Sequence, residues 1–122
     1  PEYPQFGLMA DLSHILQLRE TLEENLRPIA PYLRHAHIAN AVLKPNMPAY
    51  GDQHPRFGIE NSVVDVDVLV AFLEKLFNIG YLGEGKRPVI SFEVKPMENE
   101  DSAMVIAGAK RMLNLAWAKL SL

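Results

Sequence analysis

The sequence predicts an α/β fold with three strands, each followed by a helix and all running parallel. Three observations predict it. Short apolar runs alternate with longer stretches of helical period, three times over. Pro and Gly cluster between these stretches, where the chain must turn. Acid and imidazole side chains stand where the apolar runs stop. An ordered strand–helix alternation implies parallel strands joined by right-handed crossovers.

The first strand is expected over residues 6–10, a short apolar run that ends at Asp11. Asp11-Leu12-Ser13-His14 leads into a helix with apolar positions Leu16, Leu18, Leu22 and Leu26. Its polar face carries Glu20, Glu23 and Glu24, and Pro28 and Pro31 are expected to terminate it. The second strand, 35–39, alternates Ala36 and Ile38 against His35 and His37. Residues 40–61 form a long loop rich in Pro, Gly and Asn. A loop of that length in a small domain is usually functional or disordered, and Asp52 and His54 within it favour function.

The second helix is expected over 66–78, with Val66, Leu69, Val70, Leu73 and Phe77 on one stripe, Asp65 as its cap and Gly80 beyond its end. Gly83, Gly85 and Pro88 turn the chain into a third strand over 88–94. A last helix is expected over 101–120, with Met104, Ile106, Ala107, Met112, Leu113 and Ala116 available for packing.

The 122 residues have the size of one domain, spanning 1–122, and 48% hydrophobic content suffices for a core. A net charge of −3 leaves no electrostatic footprint for nucleic acid, which is disfavoured as a partner. The absence of cysteine removes disulfides, thiolate metal sites and thiol nucleophiles. No apolar run approaches the roughly 18 residues a membrane span needs, and residues 1–7 do not read as a signal peptide. A cytoplasmic location is expected. The chain begins without Met, so it is expected to start within a longer protein or after processing.

Parallel sheets are normally covered on both faces. Three helices on one side would leave the other side bare, with Ile90 and Phe92 expected to need strands opposite them. The chain is therefore expected to be incomplete as a fold. Further strands, from a missing segment or a second copy in a homo-oligomer, would complete it.

Six side chains carry the chemistry: Asp11, His14, His37, Asp52, His54 and Glu93. A carboxylate or imidazole at the mouth of a buried strand is costly unless satisfied, and a divalent cation with oxygen and nitrogen ligands would satisfy it. His35 and His37 are two apart in a strand and point to one face. Asp52 and His54, two apart in an extended loop, offer one cation a good bite. Structural readings compete with each of these. Asp11 or Ser13 could cap the next helix. The strand histidines could be satisfied core residues, Asp52 and His54 a solvated loop, and Glu93 the ion-pair partner of Lys95. Lys44, Arg56 and Lys95 are candidate anion binders or plain surface charges. Their joint occurrence favours the site. All four histidines fall at predicted strand ends or in the loops that follow, the face on which α/β barrels build active sites.

Four pieces occur in order: D-L-S-H at 11–14, H-A-H-I-A-N at 35–40, G-D-Q-H-P-R-F-G at 51–58 and F-E-V-K-P at 92–96. Together they resemble the C-terminal part of the xylose isomerase-like (β/α)8 barrel superfamily, over about 7–117. That superfamily holds sugar isomerases, ketose epimerases and metal-dependent apurinic endonucleases. The resemblance implies the last three βα units of a TIM barrel, incomplete as a closed barrel. It implies that Asp11, His37 and Glu93 share a divalent metal (Mn, Mg, Co or Zn) with a fifth-strand Glu that has no counterpart here. It implies a further metal on His14, Asp52 and His54, as in the endonuclease branch.

The expected function is a metal-dependent isomerase or epimerase of a sugar or other hydroxy-carbonyl compound, or a fragment of one that lacks activity by itself. Glu93 would act as ligand and proton-transfer base. His14, Asn40 and Lys44 would orient substrate, and His35, Arg56 and Lys95 would lie near it. The alternatives are a phosphodiester hydrolase and a non-catalytic half-barrel that serves association.

Overall fold

The computed structural model describes residues 7–121. In chain order the elements are β1 (Leu8–Asp11), α1 (Leu12–Gln17), α2 (Leu22–Ile29), a 3-10 turn (Ala30–Tyr32), β2 (Leu33–Ile38), α3 (Val66–Asn78), β3 (Ile90–Phe92) and α4 (Ser102–Ala118). The strands form one sheet in the order β1-β2-β3, with both pairings parallel. The expected α/β class with parallel strands is found. What forms is an open three-stranded sheet. Phe6, expected to begin the first strand, lies outside the described residues.

The first expected helix is two. Arg19 takes a left-handed backbone, φ 57°, and its N–H and that of Glu20 close back on Leu16 O and Ile15 O. Thr21 then starts α2 with a capping box: Thr21 Oγ1 accepts from Glu24 N, and Glu24 Oε2 accepts from Thr21 N, both at 3.0 Å. Leu18 is correspondingly exposed. Pro28 does not terminate the element but sits inside α2. In a helix this short the carbonyl four residues back belongs to Glu24, in the first turn.

The third expected strand is shorter than 88–94, yet its pairing runs past its ends. Ala36 N donates to Val89 O at 3.1 Å and Glu93 N to Ile38 O at 3.0 Å. The last bond places Glu93 beside the end of β2. α3 matches its expected bounds, with Asp65 Oδ1 accepting from Val68 N at 2.8 Å and Gly80 beyond its end at φ +84°. In α4 the buried residues are Val105, Ala109, Met112 and Ala116. Met104 and Ile106, expected to pack, are exposed, because the helix presents a neighbouring stripe to the core.

One hydrophobic core lies between the sheet and the helices. Ala10, Ala36 and Ile38 meet Leu12, Ile15, Leu26, Leu69, Phe72, Leu73, Leu76, Met112 and Ala116. Ile90 and Phe92 pack against this core as well. They therefore face the helices, and the expectation that they need strands opposite them is overturned by the parity of β3. Strand alternation sends Met9, Asp11, His35, His37 and Ser91 to the other face. No described element covers that face, and Met9 there is 50% exposed. The uncovered side of the sheet is thus the polar one.

α2 and α3 are tied at the surface. Arg27 bonds Glu23 and Asn78, and Lys75 pairs with Glu23. The two cations hold the Glu23 carboxyl down at about 2, Arg27 through its hydrogen bond first and Lys75 second.

Candidate metal centre

β1 ends at Asp11, and the same residue caps α1. Its Oδ1 accepts from Ser13 Oγ at 2.6 Å, Ser13 N at 2.9 Å and His14 N at 3.4 Å. Its Oδ2 is buried and accepts nothing. The cap and the ligand readings thus occupy different oxygens of one carboxylate. The register pairs Asp11 with His37, and the pairing of Glu93 N to Ile38 O brings the third residue alongside.

His37 Nδ1 lies 2.9 Å from Glu93 Oε2 and 3.6 Å from Asp11 Oδ2. It is buried, yet it makes no hydrogen bond to either. A buried polar atom between two carboxylates and bonded to neither is costly as it stands. The expected trio of Asp11, His37 and Glu93 therefore converges, with ligand atoms all within 4.8 Å of one another. Glu93 faces the two imidazoles, with Oε1 3.7 Å from His54 Nε2, rather than Lys95.

A second group adjoins the first. His14, in α1, and His54, in the loop, approach Asp11 closely enough for the three to hold one ion. Asp52 Oδ1 lies 3.0 Å from His14 Nε2 and 2.9 Å from His54 Nε2, so the expected set of His14, Asp52 and His54 also gathers. Partial burial pushes the Asp52 carboxyl up. The His14 hydrogen bond and the charge of His54 outweigh it and hold the group below the usual carboxylate range. His54 adopts φ +47°, a left-handed backbone uncommon outside glycine. It is held there by the bond from Lys95 N to His54 O, 2.8 Å, and by the buried Pro55 that follows. Such local strain persists only where surrounding contacts over-determine it.

The remaining candidates separate. His35 Nε2 bonds Ser91 Oγ at 2.9 Å, and its ring stands edge-on to that of His37 with centroids 4.5 Å apart. It borders the site on the uncovered face. Asn40, expected to orient substrate, is fully buried; its Nδ2 donates to Arg56 O at 3.0 Å and its Oδ1 accepts from Val64 N at 2.9 Å. That amide clasps both ends of the long loop instead of facing a ligand. Arg56 pairs with Glu100 at 2.9 Å. Lys44 and Lys95 are exposed.

Sequence reasoning missed the Ser13 hydroxyl as a donor to Asp11, and Ser91 as the partner of His35. Asp-x-Ser before a helix was a usable signal for the first. Nothing local marks the second, which depends on the β2–β3 register.

The donors fit a borderline divalent cation: carboxylate oxygens and imidazole nitrogens, with no thiolate. The orphaned Asp11 Oδ2 and His37 Nδ1 are the structural sign of that fit. Three carboxylates around three imidazoles also make the mouth attractive to a cation before any bond forms. No protein-family model, no curated protein and no solved structure matches this chain.

Proposed function

We propose that this chain is the metal-binding, C-terminal part of a sugar isomerase or epimerase built on a xylose isomerase-like barrel. The observation that carries the reading is the convergence of Asp11, His37 and Glu93, with the Asp11 and His37 atoms that face each other buried and unbonded. Asp11 Oδ2, His37 Nδ1 and a Glu93 oxygen would hold the ion. Bound there, a divalent metal would polarise a substrate carbonyl and neutralise the oxygen that gains charge as a neighbouring carbon loses its proton.

The chain's own residues do the rest. Glu93 has one oxygen beside His37 and is half exposed at the mouth, placed to take a proton from one carbon of the substrate and return it to the next. His14, half exposed and bonded to Asp52, can donate to a substrate hydroxyl. Lys95, exposed and bonded through its backbone N–H to His54 O, and the exposed Lys44 would meet an anionic group on the substrate. Further strands, supplied by another copy of the chain or by a partner, would cover the bare face and close the chamber over the substrate.

A second reading, phosphodiester hydrolysis with clustered metals, is favoured by the gathering of His14, Asp52 and His54 about one carboxylate oxygen. A third, association without catalysis, is favoured by the uncovered face of the sheet. Metal analysis of purified protein, with assays on ketoses and on an abasic-site oligonucleotide, tests them together. Stoichiometric metal with ketose turnover supports the first reading. Cleavage of the oligonucleotide supports the second. Protein that takes up no divalent metal ends both.

A further inference from the structure

Asp11 is the most buried of the acids at this mouth, with its side chain 2% exposed. Its two oxygens are treated unequally. Three donors converge on Oδ1, and Oδ2 has none. Two of the three are backbone N–H groups, which any residue at 13 and 14 except proline would provide. The third, and the shortest at 2.6 Å, is the Ser13 hydroxyl. Ser13 is itself fully buried, in a place where an unpaired hydroxyl would be costly.

A helix cap needs only the backbone donors. The hydroxyl does something further: it fixes the torsion of the carboxylate, so that Oδ1 stays with the helix and Oδ2 points at His37 Nδ1 and His14 Nε2, 3.6 and 4.0 Å away. We propose that Ser13 is a positioning residue for the metal centre: its hydroxyl locks Asp11 as a one-oxygen ligand through Oδ2. The inference rests on the metal reading above and deepens it. Outer-shell groups that orient a ligand typically contribute about 10–100-fold in metal affinity.

The test uses the 122-residue chain and Co2+ as probe, read by calorimetry and by the visible spectrum of the bound ion. Ser13→Ala is expected to weaken Co2+ binding about 10–100-fold and to change the spectrum, as Asp11 turns and offers both oxygens. Ser13→Thr, which keeps the hydroxyl, is expected to restore both. Melting in EDTA reports the cap separately. Ser13→Ala that melts lower in EDTA but binds Co2+ with wild-type affinity and spectrum would reduce Ser13 to a helix cap and overturn the proposal.

Wild-type protein that binds no Co2+ at all would instead defeat the metal reading itself. If neither variant folds, the wild type still decides. The Ser13 and His14 amide protons are expected to stay protected from exchange when Zn2+ is added, because Oδ1 keeps them. Loss of their protection in the metal-bound protein would show that Asp11 rotates, and that the lock does not exist.

Discussion

Asp11 sits where a strand stops and a helix starts, and it serves both with one carboxylate. The helix uses Oδ1 and leaves Oδ2 buried beside His37. His37 is the more exposing test of the centre, because its removal leaves α1 and its cap untouched. His37→Ala is expected to lower divalent-metal affinity by more than about 100-fold, since even outer-shell partners contribute 10–100-fold. Titration calorimetry with Co2+ checks it, and unchanged affinity would remove His37 from the ligand set.

The grouping of Asp11, His37 and Glu93 was expected from the family resemblance, and the structure brings the three side chains to one mouth because the parallel strands that carry them end together. Asn40 was not legible. Its role as a clasp on Arg56 O and Val64 N depends on how a long loop folds back, and no local pattern encodes that. Ser91 escaped for a similar reason, since only the pairing of β2 with β3 sets it against His35.

At the scale of elements, α2 shows why a periodic apolar pattern can mislead. Leu16, Leu22 and Leu26 keep roughly helical spacing across a break because both short helices face the same core, while Leu18, at the break, is exposed. The signal for the break was present as Thr21-x-x-Glu24, the pattern of a capping box. Thr21→Ala is expected to cost about 0.5–2 kcal/mol, read as a lower denaturant midpoint at unchanged slope.

The α2–α3 tie predicts a pH dependence. Glu23 is held at about 2, against 4.5 for a free glutamate. A depressed carboxylate stabilises the fold above its unfolded value, and loses that contribution as pH falls through its folded value. The melting-temperature gap between wild type and Glu23→Gln should therefore be full above about pH 4.5 and close towards pH 2. Salt should narrow it, since Glu23 is exposed. A gap that stays constant down to pH 2 would mean that the Arg27 and Lys75 pairings carry nothing.

For the whole molecule, the uncovered sheet face decides how the chain lives. Ile90 and Phe92 satisfy the helical side, so the bare side carries Met9, Asp11, His35, His37, Val89 and Ser91. Parallel sheets are seldom stable with one face in water, and the edges of β1 and β3 are free to pair among the described residues. Met9 and Val89 are large apolar residues on that face, each about half exposed, and Met9 lies two residues before Asp11. On a face that stays in water, Met9→Lys would be nearly neutral, within about 0.5 kcal/mol. On a face closed by a second copy, it buries an unpaired charge at the contact.

The expected outcome is a wild-type chain that sediments as a dimer or larger, with a melting temperature that rises with concentration. Met9→Lys is expected to sediment as a monomer whose melting temperature no longer depends on concentration. Its Co2+ affinity should also fall, because closure of the face keeps water from competing at the Asp11–His37 mouth. A wild-type monomer at every concentration would show that the chain does not supply its own second layer. The face would then stay open to water or be covered by something other than a second copy.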